Sequence, residues 1–268
     1  LNVRDLHHSQ VMSHRRSSVR PTTELPNTRT LAVCAHPDDE SFGLGAALAA
    51  FGASGAAMTV LSLTRGEASP LGTQGLDLRR VRSAELAAAT RVLGVRRLVV
   101  FDHADSGLFD VPVEVLVREI SVLVDDTRPD LLPVFDEAGV TGHPDHRRAT
   151  EAAVEAAEIF GLPVLAWTIL HEVATKLNDE LGVSFVGRPA TEIDVEVIVD
   201  RTVQRDAIAC HATQSLDNPV LWRRLELEGD IERFCWLRRA ARTAPLAPQS
   251  RAGRMPPADA HQRPEEAR

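Results

Sequence analysis

The chain has 268 residues, enough for one large domain or two small ones, with 44% hydrophobic and 25% charged residues, ordinary values for a soluble globular protein. A formal net charge of −8 argues against general nucleic-acid binding, which needs a basic face. Three scattered cysteines (Cys34, Cys210, Cys235) exclude a disulfide framework or a cysteine-rich zinc site and fit a reducing, cytoplasmic setting, and no apolar run of about 18 residues offers a membrane span.

Residues 1–28 hold scattered Ser, Thr, Pro and Arg without an apolar h-region, so they read as a disordered polar tail, not a secretory signal, and the His7-His8 pair in it reads as a surface feature. Leu-Ala-Val-Cys-Ala at 31–35 reads as a short buried strand. Directly after it come His36, Pro37, Asp38, Asp39 and Glu40 in a loop, and then an alanine-rich helix over 44–51. A second strand is expected at 57–63 and a Gly/Pro-bearing loop at 69–75. A helix over 78–93 is stopped by Gly94. A third strand (97–101) leads into a polar loop with His103 and Asp105, and an amphipathic helix spans 113–124. A fourth strand covers 130–135, where Pro133 counts against a central ladder position. The loop 136–142 then delivers a second His-Pro-Asp segment, His143-Pro144-Asp145-His146, ahead of a helix over 146–160 and a fifth strand at 163–170. Beyond His171 the pattern weakens to a strand at 193–199, a helix at 201–211, and a segment 219–239 whose Trp222, Phe234 and Trp236 close one side of the core. From 240 to 268 no apolar period remains and the chain reads as a disordered tail. Strand and helix alternate throughout, which predicts an α/β fold: one domain over 29–239, with a mainly parallel sheet and helices on both faces.

Both His-Pro-Asp segments fall at the carboxyl ends of strands, the edge where open α/β sheets bind ligands. Carboxylates grouped at such a place cost several kcal/mol each to bury unless a cation compensates them. His36, Asp39 and His146 offer two nitrogens and an oxygen, the three-ligand arrangement of catalytic zinc with a position left for water. Asp38, beside a ligand, can accept that water's proton as general base. His143, three residues before His146 and on the same side of a first helical turn, can protonate a leaving amine, with Asp145 holding it in its charged form. Either segment alone also reads as a loop histidine beside a carboxylate cap; the pair on one sheet edge argues for a shared ion. His103 and His171 read as satisfied loop histidines, His211 as either a helix-end packing or capping residue or a substrate contact, Cys34 as inert core, and the pairs Arg223-Arg224 and Arg238-Arg239 as solvated surface.

Ala35-His36-Pro37-Asp38-Asp39-Glu40 taken with Gly142-His143-Pro144-Asp145-His146 resembles the LmbE/PIG-L family of zinc-dependent de-N-acetylases. Thr64-Arg65-Gly66-Glu67, the helix from Arg82 to Glu85, Asp105-Ser106-Gly107-Leu108 and His211-Ala212-Thr213-Gln214 agree with it. The resemblance implies a Rossmann-like fold and hydrolysis of an N-acetyl group from an N-acetylglucosaminyl conjugate. It makes His36, Asp39 and His146 the zinc ligands, Asp38 the general base, His143 the general acid or oxyanion stabiliser and Asp145 its partner. Arg82 and Asp105 match positions that hold sugar hydroxyls or a neighbouring group in relatives. One departure is Thr141, where some members place a tyrosine that assists the oxyanion; this chain has no tyrosine.

The expected partner is therefore a small amino-sugar substrate. An amidase acting on a thiol conjugate such as a mycothiol S-conjugate is the second enzyme reading, with loops 69–75 and 216–219 shaping the pocket mouth. A non-catalytic metal- or sugar-binding module is the third. The ligand set also suits Fe2+, Co2+ or Mn2+.

Overall fold

The computed structural model describes residues 28–68 and 77–239. The two expected tails, apart from Thr28, and the whole of the loop at 69–75 lie outside the described residues.

The first half of the chain alternates as expected: β1 (Arg29–Cys34), a single helical turn α1 (Asp39–Phe42), α2 (Gly45–Ala53), β2 (Ala57–Thr64), α3 (Leu78–Val92), β3 (Arg97–His103), α4 (Val113–Thr127), β4 (Leu132–Phe135), α5 (Pro144–Phe160) and β5 (Val164–Thr168). The second half contains α6 (His171–Leu181), β6 (Val195–Ile198), α7 (Thr202–Cys210), a one-turn α8 (Ala212–Ser215), α9 (Pro219–Glu228) and β7 (Ile231–Arg238). Three of these depart from the sequence reading. Asp39–Phe42 coils into a helical turn where a loop was expected. The helix α6 was not anticipated at all. The segment 219–239 splits into α9 and a strand that runs antiparallel between β5 and β6.

Two ladders make the sheet, β3-β2-β1 and β4-β5-β7-β6, and they meet at an isolated parallel bridge between Thr30 and Leu131. Pro133 explains why the contact is so thin. Leu132 N–H donates to Pro163 O on the β5 side, so the alternating strand turns position 133 toward β1, where proline has no N–H to give.

The strands near this junction are continuous apolar runs because both faces are covered. In β1, Ala32 and Cys34 join one core cluster while Leu31 and Val33 join the other. The first cluster lies under α2, α3, α6 and α7 through residues such as Leu48, Phe51, Ala89 and Leu177. The second lies under α4 and α5, where Ala149, Ala152, Ala153, Ala156 and Ala157 form a stripe of small side chains at helical spacing. The connections leaving β1 and β4 carry the chain to opposite sides of their junction, so a crevice opens at their carboxyl ends.

Gly43 sits at the floor of that crevice. Its φ of −87° suits any residue, but a Cβ there would come within 2.4 Å of Phe135 Cζ and 3.1 Å of Trp167 Cε3. Gly43→Ala is therefore expected to lower unfolding stability by about 1–3 kcal/mol through overpacking, read as a reduced urea midpoint at unchanged slope.

Candidate metal and catalytic site

Three side chains from the two His-Pro-Asp segments converge in the crevice. His36 Nδ1 lies 3.2 Å from His146 Nε2, His146 Nε2 lies 3.1 Å from Asp39 Oδ1, and one donor atom from each of the three residues lies within 4.8 Å of the other two. Bonds of about 2.0–2.2 Å to a tetrahedral cation put its donors roughly 3.3 Å apart, so this triangle fits a divalent ion.

The surroundings set the lone pairs correctly for it. His146 Nδ1 is 3.0 Å from Gly139 O, which holds the proton on Nδ1 and frees Nε2. His36 Nε2 faces Asp105 Oδ1 at 3.1 Å and Asp145 Oδ2 at 3.2 Å, which leaves Nδ1 free. Asp39 Oδ2 accepts the N–H groups of Ala35 (3.0 Å) and His36 (2.9 Å), directing Oδ1 at His146. Outer partners of this kind orient metal-binding imidazoles. His36, His143 and Asp145 also gather within 4.8 Å, but His143 Nδ1 accepts the N–H of Asp145 and Asp145 shares the proton on His36, so the first trio holds the free lone pairs.

Electrostatics point the same way. Burial opposes a charge on His36, yet contacts with Asp105 and Asp145 and the charge of Asp39 raise its pKa to about 10. Burial likewise works to raise Asp39, but His146 and His36 bring it down to about 2. A site that attracts positive charge this strongly suits a cation.

Local sequence explains the placement. The loop from β4 to α5 has to fold beneath the first turn of α5. Gly139 makes this possible at φ +78°, where a Cβ would lie 3.0 Å from His143 O and 3.2 Å from His146 Cβ. His143 is the N-cap and Pro144 occupies the first turn.

Asp38 adopts φ 119°, a strained conformation for a residue with a side chain. Its N–H donates to Glu40 Oε2 at 3.0 Å, and its Oδ2 accepts from Gln214 Nε2 at 2.6 Å. Its other oxygen has no partner among the described residues, and the residue lines the cavity. Burial and the charge of Asp39 raise its pKa. Glu40 is itself held by the fully buried His211, 2.7 Å away. The sequence reading placed Gln214 in a motif without a task and left His211 between a helix-end role and substrate contact. Their three-residue spacing, on one side of a helical turn, was the available signal.

Two expected roles change. Asp145 does not hold His143: its carboxylate accepts from His36 and from the N–H of Leu108 at 3.1 Å. The reason is that the imidazole of His143 caps α5 with its own Nδ1. Burial, with the nearby His36 and His146, lowers the pKa of His143, which works against the charged form expected, and the N–H that Nδ1 accepts from Asp145 leaves Nε2 as the nitrogen to carry the proton. Asp105 lines the cavity, but its oxygens already meet His36 Nε2 and the N–H of Ala68, so it orients a ligand before it can hold a sugar. Arg82 is 1% exposed and lines the same cavity; Nη1 donates to Gly66 O, while Nε and Nη2 have no partner among the described residues. Thr141 sets its hydroxyl 3.0 Å from His146 Nδ1, beside the ligand.

His103 is satisfied by Glu119 at 2.7 Å, and Cys34 is core. Arg224, read as solvated surface, is 3% exposed and paired with Glu228, because α9 turns it inward over the Trp167 ring. From the loop expected to shape the pocket mouth, Asn218 lines the cavity, whose volume is about 510 Å³.

Residues 31–157 match the family profile described as "PIG-L: GlcNAc-PI de-N-acetylase". The chain is 30% identical over 252 residues to a 1D-myo-inositol 2-acetamido-2-deoxy-alpha-D-glucopyranoside deacetylase of Salinispora arenicola, covering 75% of this chain and 80% of that one. It is 30% identical over 216 residues to a probable N-acetyl-alpha-D-glucosaminyl L-malate deacetylase 2 of Bacillus anthracis, covering 78% and 91%. Matches to several other inositol-type deacetylases span only 54–56% of their length. In fold it resembles the A40926 pseudoaglycone deacetylase, with a TM-score of 0.60 and 24% identity over 81% of this chain and all of that one.

Proposed function

Because this chain belongs to the PIG-L (LmbE-like) deacetylase family, we propose that it is a zinc-dependent hydrolase that removes the N-acetyl group of an N-acetylglucosaminyl-type conjugate. The observation that carries this reading is the triangle of His36, Asp39 and His146 with Asp38 at its edge and His143 in T-shaped contact, the rings of His36 and His143 being 4.8 Å apart.

Bound there, zinc would bring the pKa of water toward about 7 and polarise the amide carbonyl. Asp38 accepts the proton of the attacking water through the oxygen that Gln214 leaves free. The Nε2–H of His143 donates to the oxyanion that forms at the carbonyl, an interaction worth about 3 kcal/mol in comparable hydrolases. As the C–N bond breaks, the protonated Asp38, whose pKa is raised, returns its proton to the departing amine nitrogen. Acetate and a free amino sugar leave, and Asp38 is restored as a carboxylate. Arg82, whose Nε–H and Nη2–H have no partner among the described residues, supplies positive charge and donors on the sugar side of the cavity. A chain that only bound metal or sugar would have no use for the Asp38 and His143 pair, which disfavours a non-catalytic module.

Acetate release from a panel of N-acetylglucosaminides, with metal analysis of the purified protein, tests this. Release that stops with a chelator and returns with Zn2+ is the expected result. Recovery only with Fe2+, Co2+ or Mn2+ would reassign the metal. Acetate release that a chelator leaves untouched would remove the metal from the reaction.

A further inference from the structure

The cavity is lined by two unlike sets of side chains, both of which reach the metal triangle. One set has hydrogen-bonding capacity left over among the described residues: the second oxygen of Asp38, His143, and Arg82, whose Nε and Nη2 are buried without a partner. The other set is built from Phe42, Phe135, Trp167, Phe185, Val220 and Leu221, and it begins against the triangle itself, where the Phe135 ring meets His146 edge-on at 4.7 Å.

The indole, guanidinium and amide groups packed against that second set are engaged with partners of their own. Trp167 Nε1 donates to Glu232 at 2.6 Å. Arg224 lies with its guanidinium 4.9 Å above the Trp167 ring, paired with Glu228 and donating to Phe42 O. Asn218 accepts from the N–H of Leu221 at 3.0 Å and donates to Gln214 O at 3.1 Å. Among the described residues this set therefore presents carbon to whatever enters the cavity.

A substrate amide held at the triangle, with its sugar hydroxyls toward Arg82, must place another part of itself against that carbon wall. Each hydroxyl buried there without a partner weakens binding about 5- to 150-fold, while each methylene removed from water strengthens it about fourfold. A polyol is rejected and an alkyl or aryl group is accepted. We propose that the substrate is an amino-sugar amide bearing an apolar substituent, carried either as its N-acyl chain or as its aglycone, in place of a polyol. This rests on the hydrolase reading above and departs from the inositol conjugate named for the Salinispora arenicola relative.

Two substrate series separate the sources. The first lengthens the aglycone from methyl to octyl on 2-acetamido-2-deoxyglucosides, below the micelle concentration. The second lengthens the N-acyl group from acetyl to hexanoyl on the methyl glycoside. A rise in kcat/KM of about tenfold or more along either series supports the proposal and says which substituent meets the apolar set. Calorimetric affinities of octyl and methyl glucosaminides read the same preference without turnover. Phe185→Ser and Val220→Ser, tested separately, should each compress the octyl-to-methyl or hexanoyl-to-acetyl ratio. Flat ratios in both series and in affinity overturn the proposal, as does an inositol glycoside preferred over the octyl one. Ratios unchanged in both variants overturn it too. Hydrolysis of the acetyl methyl glycoside with flat ratios leaves the hydrolase reading standing and overturns this proposal alone, whereas an affinity preference without any hydrolysis removes the hydrolase reading and the substrate assignment with it.

Discussion

Asp38→Asn is expected to leave the chain folded and metal-loaded while lowering kcat by about a thousandfold, within the range that a positioned general base contributes. Asparagine is the informative substitution because it preserves the contacts on either side of the carboxylate. Its side-chain oxygen can still accept from Gln214 Nε2, now 2.6 Å away, and the backbone N–H at 38 can still donate to Glu40. What disappears is the capacity to take a proton from water and return it to the amine. Steady-state acetate release together with metal content by mass spectrometry checks this. Turnover within tenfold of wild type at full metal loading would remove Asp38 from the base role.

His146→Ala should abolish metal retention and, with it, activity. The imidazole supplies one of three donors, and its Nε2 makes the two shortest edges of the triangle, 3.1 and 3.2 Å. Losing a supporting partner of a ligand costs about 10- to 100-fold in metal affinity, so losing the ligand itself should exceed that. The variant is expected to keep its secondary structure, since the side chain packs at the crevice against Phe135 and not within either core cluster. Zinc affinity by calorimetry against a competing chelator gives the measure. A full equivalent of tightly bound metal in the variant would exclude His146 as a ligand.

Much of the fold was legible as a sequence. The first five strands and their helices came from apolar runs bounded by Gly, Pro and charged residues, signals that act over a few neighbours. Pro133 announced a weak ladder position, and the two ladders do meet there through one bridge. After His171 those local signals weaken. The run 231–238 reads as neither alternating nor uniformly apolar, because β7 lies between β5 and β6 and places Glu232 and Arg233 in buried ion pairs. No pattern of neighbours along the chain announces a partner on another element.

The same boundary divides the site. The sequence by itself determined which residues could grip a cation, because the ligand types and their spacing are written into two short segments at strand ends. Which carboxylate supports which imidazole was decided only by the tertiary structure. Asp145 turned to His36 once His143 used its own ring to cap α5. Gln214 reached Asp38 across 176 residues, and Arg224 left the surface to cover Trp167. Lone-pair direction and burial depend on what each side chain meets after folding, and the apolar lining of the cavity exists only where five separate stretches of chain come together.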